Sequence, residues 1–227
     1  MGETHWPTDP DSLRSLQTAL AFLHPDPWSY SDPVAMGGCF VCFGRGGPGP
    51  GSVGERGWAA AVTMEGRRVL ATAETVGESG SPYEPGLLAT REGPLLASAV
   101  GALSVPPGVL LVNATGLDHP RRAGLALHLG WATDLPTVGV THRPFLASGE
   151  TPGGWAGSAT PLIIDGEQVG LLLRTRAGAL PLAVSPGWRT DLDTARRVVL
   201  DAVGRVRTPE PIRQARRLAR TVRGRSS

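Results

Sequence analysis

Three short segments combine residue types that local propensity alone does not demand: Pro82-Tyr83-Glu84-Pro85-Gly86, Thr90-Arg91-Glu92 and His119-Pro120-Arg121-Arg122-Ala123-Gly124. A carboxylate such as Glu92 can serve a hard metal ion or act as a general base. It can equally pair with a neighbouring arginine and do no chemistry. Tyr83, set between two prolines, is either an aromatic anchor offered for stacking or a ring packed on its own turn. His119 either lines a pocket or opens a helix whose first position Pro120 takes. His128 has apolar neighbours and reads as a core histidine. Cys39 and Cys42 are the only cysteines. Their spacing places them on opposite faces of a strand, which argues against a bond between them.

The elements that must position these groups follow from periodicity and turn chemistry. Asp9 to Leu23 has helical spacing, with Asp9 or Asp11 as N-cap. Residues 24–33 are a Pro-rich connector, and Val34 to Phe43 is a buried strand. Gly44 to Gly54 is a Gly/Pro loop. Trp58–Met64 and Val69–Glu74 form a hairpin around Glu65-Gly66. Helical periodicity follows over Leu87–Leu103, then a strand at Val109–Val112, a helix over His119–Leu129 and a strand at Thr137–Val140. Ala159–Ile164 and Val169–Arg174 make a second hairpin around Asp165-Gly166. Leu182–Val184 is a last short strand, and Leu192–Val206 and Pro211–Arg223 are helical. A meander followed by a βαβ run predicts an α/β fold: a mixed sheet, antiparallel meander plus parallel strands, flanked by helices.

With 227 residues and 41% apolar content, the chain supports a single domain over 1–227. Residues 1–33 supply its N-terminal helix and connector, and 205–227 a basic C-terminal helix and tail. No stretch reaches the roughly 20 uninterrupted apolar residues of a membrane span. Met1 to Pro10 has no signal-peptide core, so a cytoplasmic protein is expected. All 22 basic residues are arginine, a bias of high-GC coding that weakens arginine density as evidence for phosphate binding. The arginines of the C-terminal helix are accordingly read as a solvated face.

Taken together with Leu135-Pro136-Thr137-Val138-Gly139-Val140, Leu13-Arg14-Ser15-Leu16-Gln17 and Pro209-Glu210-Pro211-Ile212-Arg213, these segments resemble the endonuclease V family in order and spacing across nearly the whole chain. The resemblance implies a ribonuclease-H-like fold and a divalent metal held by carboxylates. It also implies cleavage of the second phosphodiester 3′ to a flipped deoxyinosine or inosine. Mg²⁺ requires hard oxygen ligands, and the bound ion activates water beside the scissile phosphate. The wedge turn that fills the gap left by the flipped base falls on Tyr83, with the acidic Glu84 beside it.

Of the family's site, Glu92 keeps the metal-directed acid, and Tyr83 and His119 keep their types. The first-strand Asp falls at Cys39, the Asp ending the fourth strand at Asn113, the active-site Lys at His142 and a late His at Trp188. Asn retains one carbonyl oxygen without charge, and Cys offers a soft ligand that Mg²⁺ disfavours. The resemblance therefore implies Mg²⁺ while the residues predict that no cofactor is held. On the same resemblance Cys39, Glu92, Asn113 and His142 share one pocket, with Tyr83, His119, Thr115 and Trp188 as substrate contacts. Cys, His and Asn together are a set that other folds use for thiolate catalysis. The expected outcome is a scaffold that has lost metal-dependent deoxyinosine cleavage. It is then repurposed as a metal-independent enzyme, or as one subunit of a hetero- or homo-oligomer, acting on a small molecule in a specialised pathway. The alternatives are an inosine-directed endonuclease with a relaxed metal site and a non-cleaving nucleic-acid binder.

Overall fold

The computed structural model describes residues 6–31, 33–44 and 49–225. Residues 1–5, and 45–48 of the Gly/Pro loop, fall outside the described residues. Within them, eight strands form one sheet in the order β3-β2-β1-β4-β5-β8-β7-β6, with five helices around it. The meander is β1 (Met36–Phe43), β2 (Arg56–Glu65) and β3 (Arg68–Glu78). β4 (Val109–Val112) runs parallel to β1, and β5 (Thr137–Thr141) parallel to β4. β6 (Ala159–Ile164), β7 (Glu167–Leu173) and β8 (Leu182–Pro186) complete the sheet as an antiparallel set joined to β5 through β8.

The central strands are buried on both faces, which is why β4 reads as an unbroken apolar run instead of an alternation. Leu110 and Val112 point into the core shared with α2 (Leu88–Gly101) and α3 (Leu125–Thr133). Val109 and Leu111 point the other way, toward α4 (Leu192–Asp201) and the start of α5 (Glu210–Arg225). The N-terminal helix α1 (Pro10–Ala21) lies beside α2, with Asp9 accepting a hydrogen bond from the Ser12 N–H at 2.8 Å as its N-cap.

Three elements differ from the sequence expectation. The helix expected from His119 begins only at Leu125, because residues 119–124 are tied into turns and Arg122 adopts a positive φ of 53°. The helix expected to reach Val206 stops at Asp201, ahead of Gly204. The C-terminal helix is more than a solvated arginine face. Its stripe of Ile212, Ala215, Ala219 and Val222 is buried against β1 and β2.

That contact depends on Gly38. A Cβ there would lie 2.3 Å from the Pro211 carbonyl carbon, a backbone atom with no freedom to move aside. Gly38→Ala is therefore expected to push α5 off β1. The penalty is at or above the usual overpacking range of roughly 1–3 kcal/mol, seen as a fall in Tm of roughly 5–10 °C. Differential scanning calorimetry checks it, and an unchanged Tm would mean that α5 is not seated on β1 in this way.

Candidate functional site

The parallel pairing of β1 with β4 ends at Cys39 opposite Val112, where the chain leaves β4 at Asn113 while β1 continues to Phe43. In front of this point lies a cleft of about 230 Å³, between the Pro82–Gly86 turn, the first turn of α2, the Asn113–Thr115 segment and the loop after β5. Tyr83, Asn113, Thr115 and His119 all line it. Half of the eight residues expected at the site are thus brought to one cavity.

Its wall is braced by backbone geometry. The Gly86 carbonyl accepts from Gln17 Nε2 at 3.1 Å and Arg121 Nη2 at 3.0 Å, and His119 Nε2 lies 3.0 Å away. Gly86 sits at φ 82°, a left-handed conformation that favours glycine. His119 Nδ1 accepts from the Arg121 N–H, so Nε2 carries the proton toward Gly86. Burial, with the neighbouring Arg121 adding to it, pulls the His119 pKa down to about 4 against the pull of the Gly86 hydrogen bond. The ring is neutral at pH 7 and clamps the Pro82–Gly86 turn to the His119–Gly124 segment. Tyr83, 49% exposed, stands at the mouth of the cleft, and Glu84 pairs with Arg14 at 3.2 Å. On the opposite rim the buried Asp118 carboxylate accepts three main-chain N–H groups, from Phe145, Leu146 and Ala147, at 2.6–2.9 Å.

Cys39 and Glu92 lie on the α2 side of β1, close enough for the carboxylate to act on the thiol. Burial pushes the Cys39 thiol well above its ordinary value, and Glu92 raises it further. Cys39 is a 1%-exposed residue of the core, the environment of a small buried thiol filling its strand position. Burial also lifts the Glu92 pKa to about 7, partly offset by Arg91. Arg91 itself pairs with Glu55, donates to the Ser81 carbonyl and covers the Phe43 ring.

His142 is exposed just past β5, between the cleft-lining Thr141 and Arg143. Burial and then Arg207 and Arg216 lower its pKa. Trp188 does not line this cleft; it lines a separate depression with Leu20, Leu127 and Arg189. Its ring packs with Leu20, Ala123 and Leu127 beside α1 and α3, where it fills space.

Sequence reasoning missed Arg216. Its Nη2 lies 3.2 Å from Asn113 Oδ1, and its guanidinium covers the Phe40 ring at 4.9 Å. The signal was present in the stripe Ile212, Ala215, Ala219: Arg216 sits one turn after Ile212, at the margin of the buried face. It also missed Gln17 and Arg143, which line the cleft.

These residues do not fit a divalent metal. No group of three or more His, Cys, Asp or Glu among the described residues could hold one. Cys39 puts a buried thiol where the family has a carboxylate, Asn113 an uncharged oxygen, and a guanidinium already occupies that oxygen. Hard cations need anionic oxygens, and this set supplies a cation in their place.

A mixed sheet with the meander β3-β2-β1 joined to parallel β4 and β5, with helices on both faces, is a ribonuclease-H-like fold. The family model for endonuclease V matches residues 51–217. The endonuclease V of Streptomyces avermitilis is 47% identical over 164 residues, covering 71% of this chain and 72% of that one. A crystal structure of endonuclease V from the same organism superposes with a TM-score of 0.87 at 38% identity, over 97% of this chain and 96% of that chain. The fold also matches Ciona intestinalis endonuclease V in complex with a DNA containing an inosine followed by a ribo-adenosine, at a TM-score of 0.76 and 22% identity over 96% and 98% of the two chains. The chain belongs to the endonuclease V family.

Proposed function

We propose that this family member has given up metal-dependent cleavage at inosine and uses its cleft to bind a flat, base-like ring. The observation that carries the reading is the contact between Arg216 and Asn113, a guanidinium where the family's carboxylates would draw a metal. The cleft supports the binding half. At about 230 Å³ it falls below the roughly 300–1,000 Å³ typical of sites for drug-sized ligands, so it suits one ring system and little more. Asn113 and Thr115 offer polar atoms to a ring edge, and Tyr83 offers a stacking face. In the Ciona complex the ligand is an inosine-containing DNA. An extruded base entering from a strand is the occupant this shape favours.

A small-molecule role in a specialised pathway, alone or in a heteromeric enzyme, is the second reading. It is favoured by the polar set Asn113, Thr115 and His119 converging on a confined cleft. Burial raises the Cys39 thiol's pKa, which disfavours Cys39 as the nucleophile of such chemistry.

A nicking assay on inosine-containing DNA with Mg²⁺ or Mn²⁺ tests the loss of cleavage. No nicked product is expected above background, and Glu92→Ala should leave that background unchanged. Clean nicking that Glu92→Ala abolishes would sink the proposal. Gel-shift titration against the same strand with adenine replacing inosine, and with free inosine as competitor, separates the strand reading from the small-molecule reading.

A further inference from the structure

We infer that Arg216, anchored on Asn113 and Phe40, is the built-in cation of a metal-independent phosphate site in the groove along α5, joined to the cleft through Asn113. Three observations carry it. The guanidinium is held from two sides, by the Asn113 Oδ1 at 3.2 Å and by the Phe40 ring beneath it. Such fixing lowers the entropy lost when a planar fork takes an oxyanion. Its Nε is buried and meets no hydrogen-bond acceptor among the described residues, so one donor on the fork is unspent. No acidic side chain among the described residues pairs with Arg216, Arg217 or Arg220, and these arginines share a groove of about 420 Å³ along α5 with Arg213 and Thr221. Arg213 in that groove is already paired with Glu210.

A half-buried cation without a counter-charge is costly, and an anion repays the cost. The surroundings agree on sign. Arg207 and Arg216 both disfavour protonation of His142, and burial with Arg220 pulls Arg216 itself below its ordinary value. Asn113 joins the two halves of the site, since it lines the cleft and also holds Arg216. A ring in the cleft and a phosphate on Arg216 are thus parts of one ligand, a nucleoside phosphate. It is either free or a link in a strand. The ring half rests on the function proposed above; the phosphate half does not.

The test uses the full chain in EDTA with three probes: inorganic phosphate followed by ³¹P NMR, and inosine 5′-monophosphate and an inosine-containing oligonucleotide followed by calorimetry. Inorganic phosphate is expected to show saturable line broadening that Mg²⁺ does not enhance. Arg216→Met, which keeps the stem on Phe40, should remove it, and Arg216→Lys should keep part. The monophosphate should bind roughly 10–100-fold tighter than inosine, a margin that Arg216→Met erases. If the oligonucleotide alone shows the Arg216 dependence, the phosphate belongs to a strand; if the monophosphate shows it too, a free nucleotide suffices. Phosphate binding without any ring preference would overturn the base-binding proposal and leave this one standing. Phosphate binding that needs Mg²⁺, or that survives Arg216→Met with an unchanged melting curve, overturns this one.

Discussion

Combining Cys39→Asp, Asn113→Asp and Arg216→Gln is expected to convert the strand ends into a divalent-ion site. The triple variant would place two new carboxylates beside Glu92 and remove the cation that now sits on Asn113 Oδ1. Without metal it should be less stable than the parent by several kcal/mol, because clustered buried carboxylates repel and are poorly solvated. Mn²⁺ at about 100 times its dissociation constant then contributes roughly 2.7 kcal/mol through mass action. For a chain of this length that is a rise in Tm of roughly 5–10 °C. The parent should show none. The double variant that keeps Arg216 is the informative control: the carboxylate introduced at position 113 would pair with the guanidinium, and the Mn²⁺ response should be weak. A folded triple variant that ignores Mn²⁺ would show that other features of the scaffold prevent metal binding.

The second large effect is in pH. Glu92 titrates at about 7 in the folded chain against an ordinary 4.5, so the fold holds its proton more tightly. Its contribution is fully present below pH 4.5 and is lost as pH rises toward 7. His119 does the reverse: with a folded pKa near 4 against 6.5, its contribution is present above 6.5 and is lost as pH falls toward 4. Between pH 4.5 and 6.5 the Glu92 slope opposes those of His119 and His142, whose pKa is also lowered, and the parent's stability is expected to change only weakly there. Glu92→Gln removes one side of the balance and leaves the histidine slopes, of His119 and His142, unopposed. The variant's urea midpoint should then rise with pH across that window, with stability gaining up to about 1.4 kcal/mol per pH unit. Stepped-pH urea titrations measure this directly. A variant no steeper than the parent would mean that Glu92 is ionised in the fold.

Much of the architecture was legible in the sequence because local and long-range signals agreed. The β2–β3 hairpin announced itself through Glu65-Gly66 between apolar runs, and β4 was bounded by Pro106-Pro107-Gly108 before it and Asn113 after. The failure at His119 has a definite cause. Pro120 looked like a first helical residue, but the His119 Nδ1 bond to the Arg121 N–H and the positive φ of Arg122 make turns there. Neither can be read from residue order. At the site, resemblance placed Asn113, Thr115, Tyr83 and His119 together, since motif order maps onto strand ends. Burial of Cys39 was legible too, since Val34–Phe43 reads as a buried strand. Neither signal could show the Arg216–Asn113 contact, which forms where α5 closes on β1 over Gly38.

Asp118 grips the main chain of Phe145, Leu146 and Ala147 and touches none of their side chains through these bonds. The outline of that rim is therefore independent of which residues compose it. Phe145 lines the cleft, so this position can drift through aromatic, aliphatic or polar choices while the loop keeps its path. Such decoupling of shape from chemistry gives natural selection, or a library, a place to change what the cleft prefers without first rebuilding the wall that contains it.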